Sequence, residues 1–193
     1  AKQLPGFAAS LADTAPAKVT SVEDLASLPV LRKSELGAAQ KASGPLGGFA
    51  DLSNPNIAHV FQSPGPIYEP GGNTSDWFRF GRVLHAVGIG ADDIVQNCFS
   101  YHLTPAGMMF ESGARAVGAK VLPAGVGQTE MQVRAAADIG TTAYAGTPDY
   151  LKIILDKAEE MGEKLKITKA TVGGGALFPS LRQENTETGR TVG

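Results

Sequence analysis

From residue 73 onward the chain alternates between runs whose apolar residues fall at helical spacing and short runs rich in strand formers, and this alternation constrains the fold most. Asn73 or Thr74 can cap a helix carrying Trp77, Phe80, Val83 and Leu84, which Gly88 ends. Residues 93–101 read as a strand with Ile94, Val95, Phe99 and Tyr101, and Thr104-Pro105 follows as a cap and first-turn proline. The next helix carries Met108, Met109, Phe110 and Ala114, ends near Gly118, and hands over to a strand at 120–123. The unit then repeats, with a helix over 130–138, a strand over 141–145 and a helix capped by Thr147-Pro148. That last helix buries Tyr150, Leu151, Ile154, Leu155, Ala158 and Met161 and stops at Gly162. A strand over 165–172 runs into Gly173-Gly174-Gly175, with a short helix predicted at 179–183.

Helices between successive strands require parallel pairing, because parallel neighbours need a long crossover, and right-handed crossovers cover the sheet with helices. The expected fold class is α/β, a mostly parallel sheet with helices on both faces. Ligands of such sheets sit beyond the carboxyl ends of strands, so loops 100–105, 123–128, 145–148 and 173–178 are expected to converge.

The first 72 residues are less regular. Residues 1–26 are small and polar with scattered prolines, which predicts a lead-in segment, and ordered packing is expected from near Leu28, giving a domain over 27–193. Residues 41–72 hold Gly-Pro-Leu-Gly-Gly at 44–48 and Ser-Pro-Gly-Pro at 63–66, a composition that predicts loops and short extended pieces.

Charge narrows the functions. Lysine plus arginine number 17 against 19 aspartate plus glutamate, and neither sign is concentrated, so the footprint of a nucleic-acid or membrane-surface binder is missing. Small or acyl molecules are the expected partners. The single cysteine, Cys98, has no intramolecular partner and sits in a strand-like run, which fits a reducing cytoplasm. No apolar run reaches membrane-spanning length, and the first residues lack the pattern of a signal peptide. His59 and His85 read as structural, and no carboxylate or cysteine lies at metal-ligand spacing, so no metal site is expected. Met108, Met109 and Phe110 read as core, and Glu111 with Arg115 as an exposed i,i+4 pair.

Several short motifs recur in a familiar order. Asn97-Cys98-Phe99-Ser100-Tyr101-His102-Leu103 is followed by Gly107, Gly113-Ala114-Arg115, Gly118-Ala119, Pro123, Gly127-Gln128-Thr129-Glu130, Gln132 and Thr147-Pro148-Asp149-Tyr150. In this order and spacing the chain resembles the phenylacetate-CoA ligases, a family of adenylate-forming enzymes. The resemblance runs over roughly residues 28–184. It implies the N-terminal α/β part of such a ligase, since the chain ends at Gly193, before the family's later motifs and its C-terminal domain. It also implies activation of a carboxylic acid, usually aromatic, by ATP and Mg2+ to an acyl-adenylate, and transfer to coenzyme A. Phe99 and Thr104 match acyl-pocket positions, with Tyr101 beside them, and His102 becomes the candidate catalytic side chain in the Tyr101-His102 loop. Gly174-Gly175-Ala176 matches the Gly-Ala-Glu segment that lies against adenine, with alanine in place of the acid.

The phosphate-binding loop departs further. Its counterpart is Ser63-Pro64-Gly65-Pro66-Ile67-Tyr68-Glu69-Pro70, with Ser63 and Gly65 as the candidate nucleotide contacts. Pro64 and Pro66 offer no N–H, and Glu69 stands where a cation belongs. Two functions follow: an acyl-CoA ligase to which this chain contributes the acyl pocket and part of the adenine site, or a degenerate module that holds an acyl or aromatic ligand without activating it. Sheet edges left open in a chain of this length favour self-association into a homo-oligomer.

Overall fold

The computed structural model describes residues 4–11 and 14–192, in two compact units divided along the chain between Asn73 and Thr74. The first unit opens with helix α1 (Pro5–Ser10), two short 3-10 turns and helix α2 (Lys33–Ser43), followed by strands β1 (Ile57–Ser63) and β2 (Ile67–Gly72). α1 is fastened to the turn after α2: the Gly6 N–H donates to the Gly48 carbonyl at 2.9 Å, and Phe7 meets Phe49 edge-on at 5.2 Å.

β1 and β2 form an antiparallel hairpin with Ser63 opposite Ile67, where composition predicted only loops and short extended pieces. Two features outweigh the glycines and prolines. Phe61 and Ile67 are buried on one side, and the Gln40 side chain pairs with the Tyr68 backbone like a further strand. Gln40 Nε2 donates to the Tyr68 carbonyl at 2.7 Å, and its Oε1 accepts from the Tyr68 N–H at 3.0 Å.

The second unit contains α3 (Gly81–Ala86), β3 (Ile94–Asn97), α4 (Ala106–Ala116), β4 (Lys120–Leu122), α5 (Thr129–Ile139), β5 (Ala143–Gly146), α6 (Pro148–Met161), β6 (Lys169–Val172) and α7 (Pro179–Val192). The four strands lie parallel in the order β4-β3-β5-β6, as the alternation of the sequence requires. One core packs Leu84, Phe110 and Ala114 of α3 and α4 against Val95 and Ala143. A second packs Val133 and Ala136 of α5 and Ile154, Leu155 and Ala158 of α6 against Tyr144. The connection leaving β3 therefore runs over one face and those leaving β4 and β5 over the other, which opens a crevice at the carboxyl end of β3.

Helix ends explain themselves where the caps are local. Thr147 accepts the Tyr150 N–H at 3.3 Å, Pro148 takes the first turn, and Gly162 closes α6 in the left-handed region at φ 68°. Other boundaries differ from the expectation. Residues 74–80 turn instead of starting a helix, because the Asp76 carboxylate accepts the Gly81 N–H at 3.0 Å and the Asp76 N–H donates to Ser112 Oγ at 2.9 Å. α3 begins only after that cap. Thr104 does not cap α4; it donates to the Ser100 carbonyl at 3.4 Å, and Pro105 stands at the cap position without a side-chain bond. β6 is confined to Lys169–Val172, and α7 continues to Val192, beyond the predicted 179–183, held to α6 by Lys152–Glu184 at 3.7 Å and by Asn185.

Candidate functional site

The loops at the carboxyl ends of β3, β4 and β5 are knitted together from buried amides. Asn97, the last residue of β3, is 1% exposed; its Nδ2 donates to the Gly107 carbonyl and to the Tyr101 hydroxyl, both at 2.8 Å, and its Oδ1 accepts the Phe99 N–H at 3.3 Å. Its carbonyl accepts the Gly125 N–H at 2.9 Å, which brings in the loop after β4. Gly107 is fixed by space as well as by bonding: a Cβ there would lie 2.7 Å from the Ser100 carbonyl oxygen and 2.8 Å from the Tyr101 ring.

Gln132, on α5, is the second anchor. Its Nε2 donates to the Gly127 carbonyl at 2.7 Å and the Gly125 carbonyl at 3.1 Å, while its Oε1 accepts from Gln96 Nε2 at 3.1 Å and from the Cys98 thiol at 3.2 Å. Tyr150 adds a third tie from α6, its hydroxyl donating to the Gly127 carbonyl at 2.9 Å. These contacts fix the loops at the carboxyl end of the sheet relative to one another. Their partners lie up to 36 residues away, so sequence spacing gives no sign of them beyond the recurrence of Gln132 in the motif.

Phe99 is buried, stacked on Phe110 at 4.2 Å, and one edge of its ring faces the turn after β6. A Cβ at Gly173 or Gly174 would come within 3.9 Å of that ring, and one at Gly174 within 3.7 Å of Thr147 Cγ2. Gly174 also adopts φ 72°, which side-chain-bearing residues rarely take, so its conformation favours glycine, while a Cβ there would make only ordinary contacts. Gly175 sits against Pro148, and a Cβ there would lie 3.6 Å from Asp149 Oδ2. Phe99, Thr147, Asp149 and the three glycines thus lie together at the carboxyl end of the sheet.

Tyr101 is half-buried; burial, then the neighbouring Glu111, push its hydroxyl well above the ordinary range, so it stays a neutral donor. His102 is exposed, and among the described residues its ring has no hydrogen-bond partner. Thr104 is half-buried over the Ser100 carbonyl, and Ala176 is exposed at the far end of the glycine turn. Ser63 and Gly65 lie in the first unit, at the closed end of the hairpin. There Lys33 Nζ donates to the buried Ser63 hydroxyl at 3.0 Å and approaches Glu69 at 3.6 Å. Lys33 supplies the cation that the segment itself lacks, and it offsets Glu69. In the segment 63–70 two prolines remove backbone donors, whereas the Ser63 hydroxyl accepts from Lys33 and keeps its own O–H to donate. At the glycine turn, by contrast, Gly174 and Gly175 are exposed and present bare backbone. Among the described residues no group of three His, Cys, Asp or Glu side chains is arranged to hold a metal ion, and no helix is long and apolar enough to cross a membrane.

No family model matches the chain. It is 31% identical over 165 residues to a phenylacetate-coenzyme A ligase of Aromatoleum evansii, covering 82% of the chain and 36% of that protein. With the phenylacetate-coenzyme A ligase of Thermus thermophilus it shares 27% identity over 173 residues, 84% of the chain and 38% of the relative. The chain belongs to the phenylacetate-coenzyme A ligase family. It spans a little over a third of the length of these relatives. The fold agrees: the chain superimposes on a 2-hydroxyisobutyryl-CoA ligase solved with its acyl-adenylate and CoA at a TM-score of 0.87 and 22% identity, over 98% of the chain and 44% of that structure. A long-chain-fatty-acid-CoA ligase from Archaeoglobus fulgidus matches more loosely, at a TM-score of 0.55 and 13% identity, over 72% of the chain and 29% of that structure.

Proposed function

We propose that this chain is the acyl- and adenine-binding part of an acid-CoA ligase acting on an aromatic or related carboxylic acid. In that reaction the carboxylate oxygen attacks the α-phosphorus of ATP and releases pyrophosphate; the thiol of coenzyme A then attacks the acyl carbon and releases AMP. The observation that carries this reading is the convergence of Phe99, Thr147 and Gly173–Gly175 at the carboxyl end of the sheet, a slot bounded by one aromatic edge and bare backbone. Such a slot favours binding and alignment, the contribution a scaffold makes to adenylation. Thr104 and Tyr101 flank the acid, and exposed His102 stands free to meet it or the adenylate. Mg2+ enters on the phosphates of ATP.

Titration of ATP with Mg2+ into the chain, with and without phenylacetate, tests this. Saturating heat that changes with the acid supports the ligase reading. Acid binding that ignores ATP defeats it and leaves a ligand-holding module.

A further inference from the structure

A second candidate site lies outside the carboxyl-end loops, in the turn before α3. Thr74, Ser75, Asp76, Trp77, Arg79 and Arg82 line a surface cavity of about 680 Å3. The turn is built, not loose. The Asp76 N–H donates to Ser112 Oγ at 2.9 Å, the Arg79 N–H donates to the Asp76 carbonyl at 2.7 Å, and both Asp76 carboxylate oxygens accept the Gly81 N–H, at 3.1 and 3.0 Å. Holding this shape places Asp76 at φ 50° and Arg79 at φ 58°, a region that residues with side chains take at an energetic cost.

The fixed turn gathers two cations. Among the described residues neither Arg79 nor Arg82 makes an ion pair, although both are exposed and carboxylates are common on this surface. The one carboxylate of the cavity, Asp76, is committed to the Gly81 N–H, and two guanidiniums against one carboxylate leave the cavity net positive. Beside them Trp77, the chain's single tryptophan, is 45% exposed. A large aromatic face next to two unpaired guanidiniums matches a flat base joined to phosphates, through stacking and forked hydrogen bonds.

We infer that this cavity binds a nucleoside diphosphate, with the base on Trp77 and the phosphates on Arg79 and Arg82. Because these residues lie outside the loops assigned to acid activation, either reading can fail while the other stands.

Trp77 is its own reporter. ADP titrated into the chain is expected to quench tryptophan emission saturably, and Arg79→Asn and Arg82→Gln are each expected to weaken the apparent Kd at least tenfold. Asn tolerates the left-handed backbone at 79, and Gln is a comparable helix former at 82, so unchanged thermal melts will show that both variants fold. Inorganic pyrophosphate is expected to displace ADP only at tenfold or more higher concentration. Absence of a saturable quench, or a quench that survives both substitutions, overturns the site. Pyrophosphate competing as tightly as ADP binds overturns the nucleoside assignment.

Discussion

Lys169 Nζ, at the first residue of β6, lies 2.8 Å from Asp93 Oδ2, just ahead of β3, and so bridges two strands that have β5 between them. The same ammonium donates to the Gly88 carbonyl at 2.7 Å, and the carboxylate accepts from the Thr142 hydroxyl at 2.8 Å and the Gly90 N–H at 2.9 Å. This clasp closes the amino edge of the sheet, opposite the crevice.

Stability is expected to depend on pH through Asp93. Burial alone would raise its pKa, but the bonds from Lys169, Gly90 and Thr142 and the Lys169 charge outweigh burial and hold it below the usual carboxylate value. A carboxyl with a depressed folded pKa contributes stability that is present above its unfolded value, about 3.9, and is lost as pH falls through the folded one. Asp93→Asn is therefore expected to lower unfolding free energy by about 2 kcal/mol at neutral pH and to flatten its decline below about pH 4. Urea unfolding across pH checks both; an unchanged acid limb in the variant would remove Asp93 from the account.

Asn97 and Gly107 are expected to control the crevice through the backbone. Asn97→Ala removes the buried side-chain donor to the Gly107 carbonyl and the Tyr101 hydroxyl, a loss of about 1–3 kcal/mol. Gly107→Ala forces a Cβ onto the Ser100 carbonyl and the Tyr101 ring and is expected to cost about as much by overpacking. Both changes should speed amide exchange in loop 98–105 while leaving α6 protected. Uniform loss of protection would mean that the loop is not a separate unit.

Local signals made the second unit legible. Thr147-Pro148, Gly162 and the strand-forming runs at β3 and β5 each state their own element, and their alternation fixes parallel pairing. Elements whose shape depends on distant partners were hidden. Residues 74–80 read as helix because nothing nearby in sequence reveals that Ser112 holds the Asp76 N–H. The hairpin at 57–72 depends on Gln40, 28 residues from Tyr68. α7 carries too few apolar residues to announce its length and owes it to packing on α6. At the carboxyl end of the sheet, Phe99 and the glycines are legible as motif members, whereas the supporting role of Gln132 depends on partners distant in sequence.

Cys98 is expected to be chemically silent. Burial pushes its thiol up to about 12, and the thiol already donates to Gln132 Oε1. Thiol reagents at pH 8 should therefore modify it no faster than the fold opens, with full reactivity in urea. Rapid labelling of the folded chain would show that the carboxyl end of β3 opens locally.

Asp149 is expected to tune nucleotide binding. By the resemblance, Ala176 stands where the family carries an acid after the glycine turn, and Asp149 where it carries the serine of Thr-Pro-Ser-Tyr. Its carboxylate comes within 3.6 Å of where a Cβ on Gly175 would stand, so an acceptor reaches the same crevice from α6 instead of from the turn. An exocyclic amino group lying in the slot would meet that acceptor. Asp149→Ser is then expected to weaken ATP binding about tenfold, the loss of one hydrogen bond to a charged group, and to affect GTP, which presents an oxygen at that position, far less. The variant keeps a small polar residue in the first turn of α6 behind the Thr147 cap, so its melting temperature should barely move. Equal loss for both nucleotides would mean that Asp149 acts through the general field of the crevice and not through the base.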